Sequence, residues 1–287
     1  MTTREFSDIL LRYYPVRHFP NQKEAFIHFA AKQYSVQAPV LLERKHRFGF
    51  SCTNMVFGDP AQADAIVAAY YDTPKRCFFP YRRYYGNPLA QFLQIAIPLV
   101  LLFCICWFIV RLFHWACFFS LLLFLPLALA ACCAFANPVN ANYSSGLVAL
   151  HAFCRQYSGN LCVVLLDNSA FFPSGKRFFQ KKYRQVLREK PFLLFHLTGS
   201  GTTPLIAATP PMLISLPDFH IPLCKKVGKR PRAEISMVQH SNLGYHSGPL
   251  CTPDDDTLYV SACQQAADIA AGVLHTFQSK TTHESQY

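Results

Sequence analysis

The sequence predicts an α/β protein: a three-layer α/β/α domain on a mostly parallel central sheet, interrupted by a two-helix transmembrane hairpin. Three observations carry that prediction. Short apolar runs at 65–71, 161–166, 192–197 and 212–216 have the length of strands covered on both faces, as parallel strands are. Helix-period stretches alternate with them, the arrangement that builds layered α/β folds. One block, 92–135, is apolar throughout, with only Arg111 and His114 able to carry charge apart from cysteine thiols.

Taken in order, residues 3–14 and 21–34 have helical periodicity. Asn21 and Gln22 mark the second start, and Pro15 and Pro20 break the chain between the two. They form an N-terminal helical segment, 1–38. Stretches 40–50 and 52–57 read as two strands around a turn at Gly49. The apolar block follows the 65–71 strand. A spanning helix needs about 20 apolar residues, and 92–110 and 115–135 each meet that length. Residues 111–114 supply the turn at the far interface, with Trp107 and Trp115 as interfacial aromatics. Pro98 and Pro126 are tolerated in spanning helices. Beyond the block, helices at 144–157, 174–188 and 257–278 alternate with the later strands. Ser144 and Ser145 read as caps of the first of these helices, and Asp254–Asp256 as acidic caps of the last. The α/β domain is therefore discontinuous, 39–87 and 138–279, and the polar tail 280–287 is expected to fray.

The 287 residues include 27 Lys+Arg against 16 Asp+Glu, a formal charge of +11, and 12 cysteines. Cys104, Cys106, Cys117, Cys132 and Cys133 lie in the apolar block. The others are scattered and form no C-x-x-C pair. They read as reduced thiols, which points to a cytosolic soluble part. Lys75, Arg76, Arg82 and Arg83 precede the first span, against Arg111 alone at the turn. The positive-inside rule then puts both soluble parts in the cytoplasm. Lys176, Lys181 and Lys182 lie on one predicted helix; Lys225, Lys226, Lys229 and Arg230 lie in a loop. On a domain tethered to an anionic leaflet each such residue adds about 1 kcal/mol of attraction, so these seven are candidates for contact with lipid headgroups. Nucleic acid is disfavoured, because Phe178, Phe179 and Tyr183 have the spacing of a packed helix face. No Gly-x-Ser-x-Gly elbow marks a serine hydrolase.

The strand ends carry a resemblance. Ala-Ala-Tyr-Tyr-Asp-Thr at 68–73, Asn-Tyr-Ser-Ser-Gly at 142–146, Asp-Asn-Ser-Ala at 167–170, Phe-His-Leu-Thr-Gly at 195–199 and Cys-Thr-Pro at 251–253 occur in that order. Together they resemble the metal-site motifs of the di-zinc aminopeptidases, the family of leucine aminopeptidases and glutamate carboxypeptidase. The resemblance implies a zinc-exopeptidase fold over about 40–278, apart from the hairpin. It also implies what has changed. Tyr70 stands where the family has a zinc-binding His, although Asp72, which orients that His, remains. Asn142 stands at the bridging carboxylate. Ser169 and Ala170 replace the general base and a ligand, His196 replaces an Asp ligand, and Cys251 replaces a His ligand. An amide is a poor bridge between two cations, and serine cannot take the proton of a metal-bound water. The expectation is a peptidase-like protein with no catalytic residues and no cofactor, acting as a binding or scaffolding protein for a peptide, a protein or lipid. The alternatives are a hydrolase with zinc held anew by His196, Cys251 and Asp72, and a structural membrane subunit.

Overall fold

The structure is a computed structural model that describes residues 1–34, 39–47, 50–76, 81–112, 137–168, 174–214, 221–226, 228–252 and 254–284. Helix α1 (Thr3–Tyr13) opens with a capping box: Glu5 N–H donates to Thr2 Oγ1 and Thr2 N–H to Glu5 Oε2. Its Phe6 and Leu10 are buried. In α2 (Pro20–Tyr34), Gln22 Oε1 accepts the N–H groups of His18 and Phe19, and so satisfies donors at the helix entrance. The hairpin β1 (Val40–Arg47) and β2 (Phe50–Phe57) is antiparallel. Residues 48 and 49 of its predicted turn lie outside the described residues.

The sheet runs β1-β2-β5-β3-β6-β9-β10-β4. Its centre is parallel: β5 (Leu161–Leu166), β3 (Ala65–Tyr70), β6 (Phe192–Phe195) and β9 (Arg232–Ser241). Most of the pairings at its margins are antiparallel, so the sheet is mixed rather than wholly parallel. Here β2 pairs β5, β9 pairs β10 (Gly244–His246) and β10 pairs β4 (Tyr84–Tyr85). Strand β7 (Thr203–Ala208) also joins β9, with β8 (Leu223–Lys225) beside it.

The uninterrupted apolar run of β3 has a direct cause. Ala65, Val67 and Ala69 face a core built with α1, α2, α4 (Ala141–Gln156) and α8 (Val260–Glu284). Ile66, Ala68 and Tyr70 face a second core with Phe179 of α5 (Ser174–Lys182) and Leu187 of α6 (Val186–Glu189). Alternate residues of a strand point to opposite faces, so both faces are covered and three layers result. Gly146 permits the closest helix–sheet approach, since a Cβ there would stand 2.6 Å from the Phe195 carbonyl oxygen.

Several expected elements differ. The 212–216 run is not a strand where it is described: Met212 and Leu213 end the short helix α7 (Pro210–Leu213), started by two prolines suited to a first helical turn. The 174–188 helix is broken into α5 and α6. Ser144 and Ser145 lie inside α4, whose N-cap is Asn140. The last helix starts at Val260 and continues through the expected tail to Glu284.

Helix α3 (Pro88–Leu112) begins four residues before the expected span, with Asn87 Oδ1 accepting the Ala90 N–H. Arg111 and Leu112 are its last residues, not a turn. Its segment Pro88–Ile109 is long and apolar enough to cross a membrane, and almost none of it is buried. Phe92 and Phe108 are each 65% exposed. A core helix of a soluble domain hides such a surface. One such helix is described; the second expected span, 115–135, lies outside the described residues.

Candidate functional site

Parallel strands bring their carboxyl ends to one edge, where α/β folds place their sites. Tyr70 ends β3 directly beside Leu166 of β5. Asp72 follows β3, Asp167 follows β5, and His196 follows β6. His196 lies edge-on to the rings of Tyr70 and Tyr143, with centroids 5.2 and 5.9 Å away. Among the described residues, three non-glycine residues adopt left-handed backbone, and all three are at this edge: Asn168 (φ 52°), Leu197 (φ 57°) and Cys251 (φ 62°). Such strain persists where surrounding packing over-determines it. Leu197 is fully buried against Tyr143, Leu250 and Cys251, which holds the turn that presents His196.

The edge separates into two charged regions. In the first, Arg17 enters from the loop between α1 and α2. It donates to the carbonyls of Tyr71 and Tyr14, and at 2.7 Å to Ser144 Oγ. Its own N–H donates to Thr73 Oγ1 at 2.8 Å. Burial lowers the guanidinium to about 10, with Asp72 and Asp255 opposing that shift. Asp255, expected to cap the last helix, instead accepts the Asn142 N–H at 2.8 Å at the start of α4. Burial pushes its carboxyl up to about 8. Asp167 is also structural: it accepts from Lys23 Nζ at 2.5 Å and from the Thr53 N–H at 2.9 Å.

In the second region, Arg83 Nη1 is 2.6 Å from His196 Nδ1 and its Nη2 is 2.9 Å from Glu234 Oε1. Lys226 Nζ pairs with Glu234 Oε2. Burial opposes the Glu234 charge, but Arg83 and Lys226 hold the carboxyl well below its usual range. Burial pushes His196 down to about 4, so the ring is neutral at pH 7. A guanidinium always donates. Nδ1 also lies 3.2 Å from Glu234 Oε1, but the shorter contact is to a group that can only donate, so Nδ1 is assigned as its acceptor and the proton to Nε2. His196 Nε2 is buried with no hydrogen-bond partner. Burial keeps the Tyr70 phenol protonated, its pKa raised, with Glu234 adding to the effect.

The expected site positions are placed as follows. Tyr70 and His196 meet; Asp72 is buried within electrostatic reach of both Arg17 and Tyr70. Asn142 accepts the Gly199 N–H at 3.3 Å through Oδ1, while its Nδ2 has no partner. Cys251 is buried beside Tyr143. Ser169 and Ala170 lie outside the described residues. Among the described residues, no three or more His, Cys, Asp or Glu side chains converge as a metal-binding group. The seven basic lipid candidates divide. Lys182 pairs with Glu43 at 2.6 Å, Lys226 turns in to Glu234, and Lys176 lies within electrostatic reach of Glu234. Lys181, Lys225 and Lys229 are exposed, and Arg230 is half-buried.

Glu234 and Arg83 are the residues that sequence reasoning missed as a pair. Glu234 left one signal, a lone carboxylate between Ala233 and Ile235 in an otherwise apolar stretch. Arg83 was legible only as a charge flanking the membrane segment.

No family model and no curated protein sequence matches this chain. Solved structures do. A Zn-dependent exopeptidase from Parabacteroides distasonis aligns over 96% of this chain and 95% of its own, with TM-score 0.58 and 11% identity. The glutaminyl cyclase of Porphyromonas gingivalis aligns over 97% of each chain, with TM-score 0.59 and 10% identity. The LapA aminopeptidase of Legionella pneumophila aligns over 96% of this chain and 68% of its own, with TM-score 0.53 and 10% identity. At these identities the likeness is one of architecture: this chain has the fold that zinc-dependent exopeptidases and glutaminyl cyclases share.

Proposed function

We propose that this chain is a membrane-anchored, non-catalytic protein of peptidase-like fold, which binds or scaffolds through the cleft at its strand ends. Arg83 carries the reading. Its guanidinium engages His196 and Glu234 at the strand end where the family resemblance expects a metal-binding carboxylate. Zinc is held by deprotonated, electron-donating ligands. Here Nδ1 of His196 is spent on Arg83, Nε2 carries the proton, Tyr70 is a protonated phenol and Asn142 is an amide. That donor set does not fit a pair of divalent cations, and a fixed positive charge repels them. The alternative of a site rebuilt from His196, Cys251 and Asp72 lacks support, because among the described residues no three such side chains converge.

The anchor reading rests on α3, whose exposed apolar side chains would otherwise meet water at a cost of about 25 cal/mol per Å². The eight described cysteines, Cys52, Cys104, Cys106, Cys154, Cys162, Cys224, Cys251 and Cys263, are all free thiols. That supports a cytoplasmic soluble part.

Metal analysis of the full-length protein tests the central claim. Zinc well below one equivalent is expected, with no peptidase activity for a chelator to abolish. Stoichiometric zinc that disappears in His196→Ala would overturn it.

A further inference from the structure

We propose that Arg83 and Lys226, which pair with the buried Glu234, together with Lys176, within electrostatic reach of it, form with His196 a binding site for one phosphate group, carried by a lipid headgroup or by a free phosphate. The inference deepens the metal-free cleft proposed above and rests on it.

Charge balance is the first ground. Glu234 is the single carboxylate paired in the cluster, and Arg83 and Lys226 both pair with it. Lys176 has no ion-pair partner among the described residues. Burial lowers its ammonium to about 8; Glu234 opposes the shift, and Lys226, Arg83 and Arg232 add to it. Glu234 is the carboxylate that acts on Lys176, whereas Asp72 acts on Arg17 and Tyr70. A half-buried group of cations outnumbering its carboxylate is short of an anion.

The second ground is an unused donor. His196 is 6% exposed, and its Nε2–H has no acceptor. A metal cannot use an N–H, whereas a phosphate oxygen accepts from it and from the ammonium groups together.

Rigidity is the third. Gly175 sits so close to Asp167 that a Cβ would lie 2.2 Å from its carbonyl oxygen, and Asn54 Nδ2 donates to the Gly175 carbonyl at 3.0 Å. Lys176 is thereby fixed at the strand ends. Arg83 is held by paired bonds to Ser247: its N–H donates to Ser247 Oγ, and its carbonyl accepts the Ser247 N–H, each at 2.9 Å.

The fourth ground is location. Two glutamines on the first turns of α3 clasp the segment that carries Arg83. Gln94 Oε1 accepts the Arg82 N–H at 3.0 Å, and Gln91 Oε1 accepts the Tyr84 N–H at 2.9 Å. The cationic rim is thus attached to the stem of the apolar helix, at the level where headgroups surround a spanning segment.

The test uses full-length protein in phosphatidylcholine nanodiscs, titrated separately with inorganic phosphate and with a water-soluble short-chain phosphatidic acid. Saturable binding of at least one probe is expected. Lys176→Gln should weaken it about tenfold, Lys176→Arg should restore it, and Lys181→Gln, an exposed lysine on the same helix, should leave it unchanged. Tighter binding of the short-chain lipid supports the site with a headgroup as its source; tighter binding of phosphate supports it with a soluble source. No saturable binding of either probe, or equal weakening by Lys176→Gln and Lys181→Gln, overturns it. Zinc content of the same preparation separates the failures. Stoichiometric zinc defeats the metal-free reading, whereas zinc-free protein indifferent to both probes defeats the phosphate site alone.

Discussion

Two arginines stand a few residues from the same strand ends, and they behave differently. Arg17 is 0% exposed, and each of its three guanidinium nitrogens donates to a protein acceptor. The Arg83 side chain is 33% exposed and shares its carboxylate with a lysine that is 32% exposed. Around Arg17, Asp72 opposes the effect of burial on the guanidinium, and Asp255, with its carboxyl pushed up to about 8, is neutral at pH 7. Around Arg83 the charges do not close, because Lys176 and Lys226 join it against Glu234 alone. A closed set of buried charges is a structural joint. A set with surplus charge and partial access to solvent is a receptor. Here the joint ties the N-terminal helices to the sheet, and the receptor faces the stem of α3.

The largest expected effect is at the joint. Arg17→Met should destabilise the protein by about 3–5 kcal/mol, the usual cost of leaving a buried charge without its partner. Chemical denaturation in detergent measures it, and Asp72→Asn in the same chain should recover part of the loss. A loss under about 1 kcal/mol would mean that the Arg17 region is not a joint.

Asp255→Asn comes next and is read as a difference from wild type across pH. The folded carboxyl titrates near 8 and the unfolded one near 4. Between these values the folded state holds a proton that the unfolded state has released. Wild-type stability from this group is therefore complete below about pH 4 and declines as pH rises through 8. The variant lacks that decline, so it should gain on wild type by about 2–3 kcal/mol between about pH 5 and pH 7. Thermal unfolding at several pH values gives the difference; a flat one would show Asp255 to be ionised in the fold.

The smallest effect on stability belongs to the receptor. Glu234→Gln should cost about 1–3 kcal/mol, less than Arg17→Met, because water reaches the rim cations that lose their partner. Denaturation of the two variants side by side is decisive, and a larger loss for Glu234→Gln would reverse the comparison.

Some of this was legible without coordinates, and particular residues show why. The β3 and β5 runs lack polar residues because helices cover both faces, and a local pattern records that directly. The capping box of α1 and the break at Pro15 to Pro20 are likewise local. The 212–216 run misled because a short apolar stretch fits strand or helix equally, and Pro210 with Pro211 tipped it to a helical turn. Strand β9 escaped notice because Glu234 interrupts it, and β7 because it contains Pro204, a strand-disfavouring residue. Asp254–Asp256 lie just ahead of α8 in the chain and read as its caps. The fold turns Asp255 under α4 instead.

The amino-acid order alone determined the periodicities, the two-sided strands and the long apolar helix. Those features are written in neighbouring residues, where spacing and side-chain chemistry suffice. Tertiary structure decided which charges meet. Arg83 reaches His196 across 113 residues and Glu234 across the antiparallel margin of the sheet, while Arg17 reaches Ser144 across 127. Such pairings depend on strand order and on the path of the loops between strands, and long-range geometry of that kind leaves no periodic trace in a sequence.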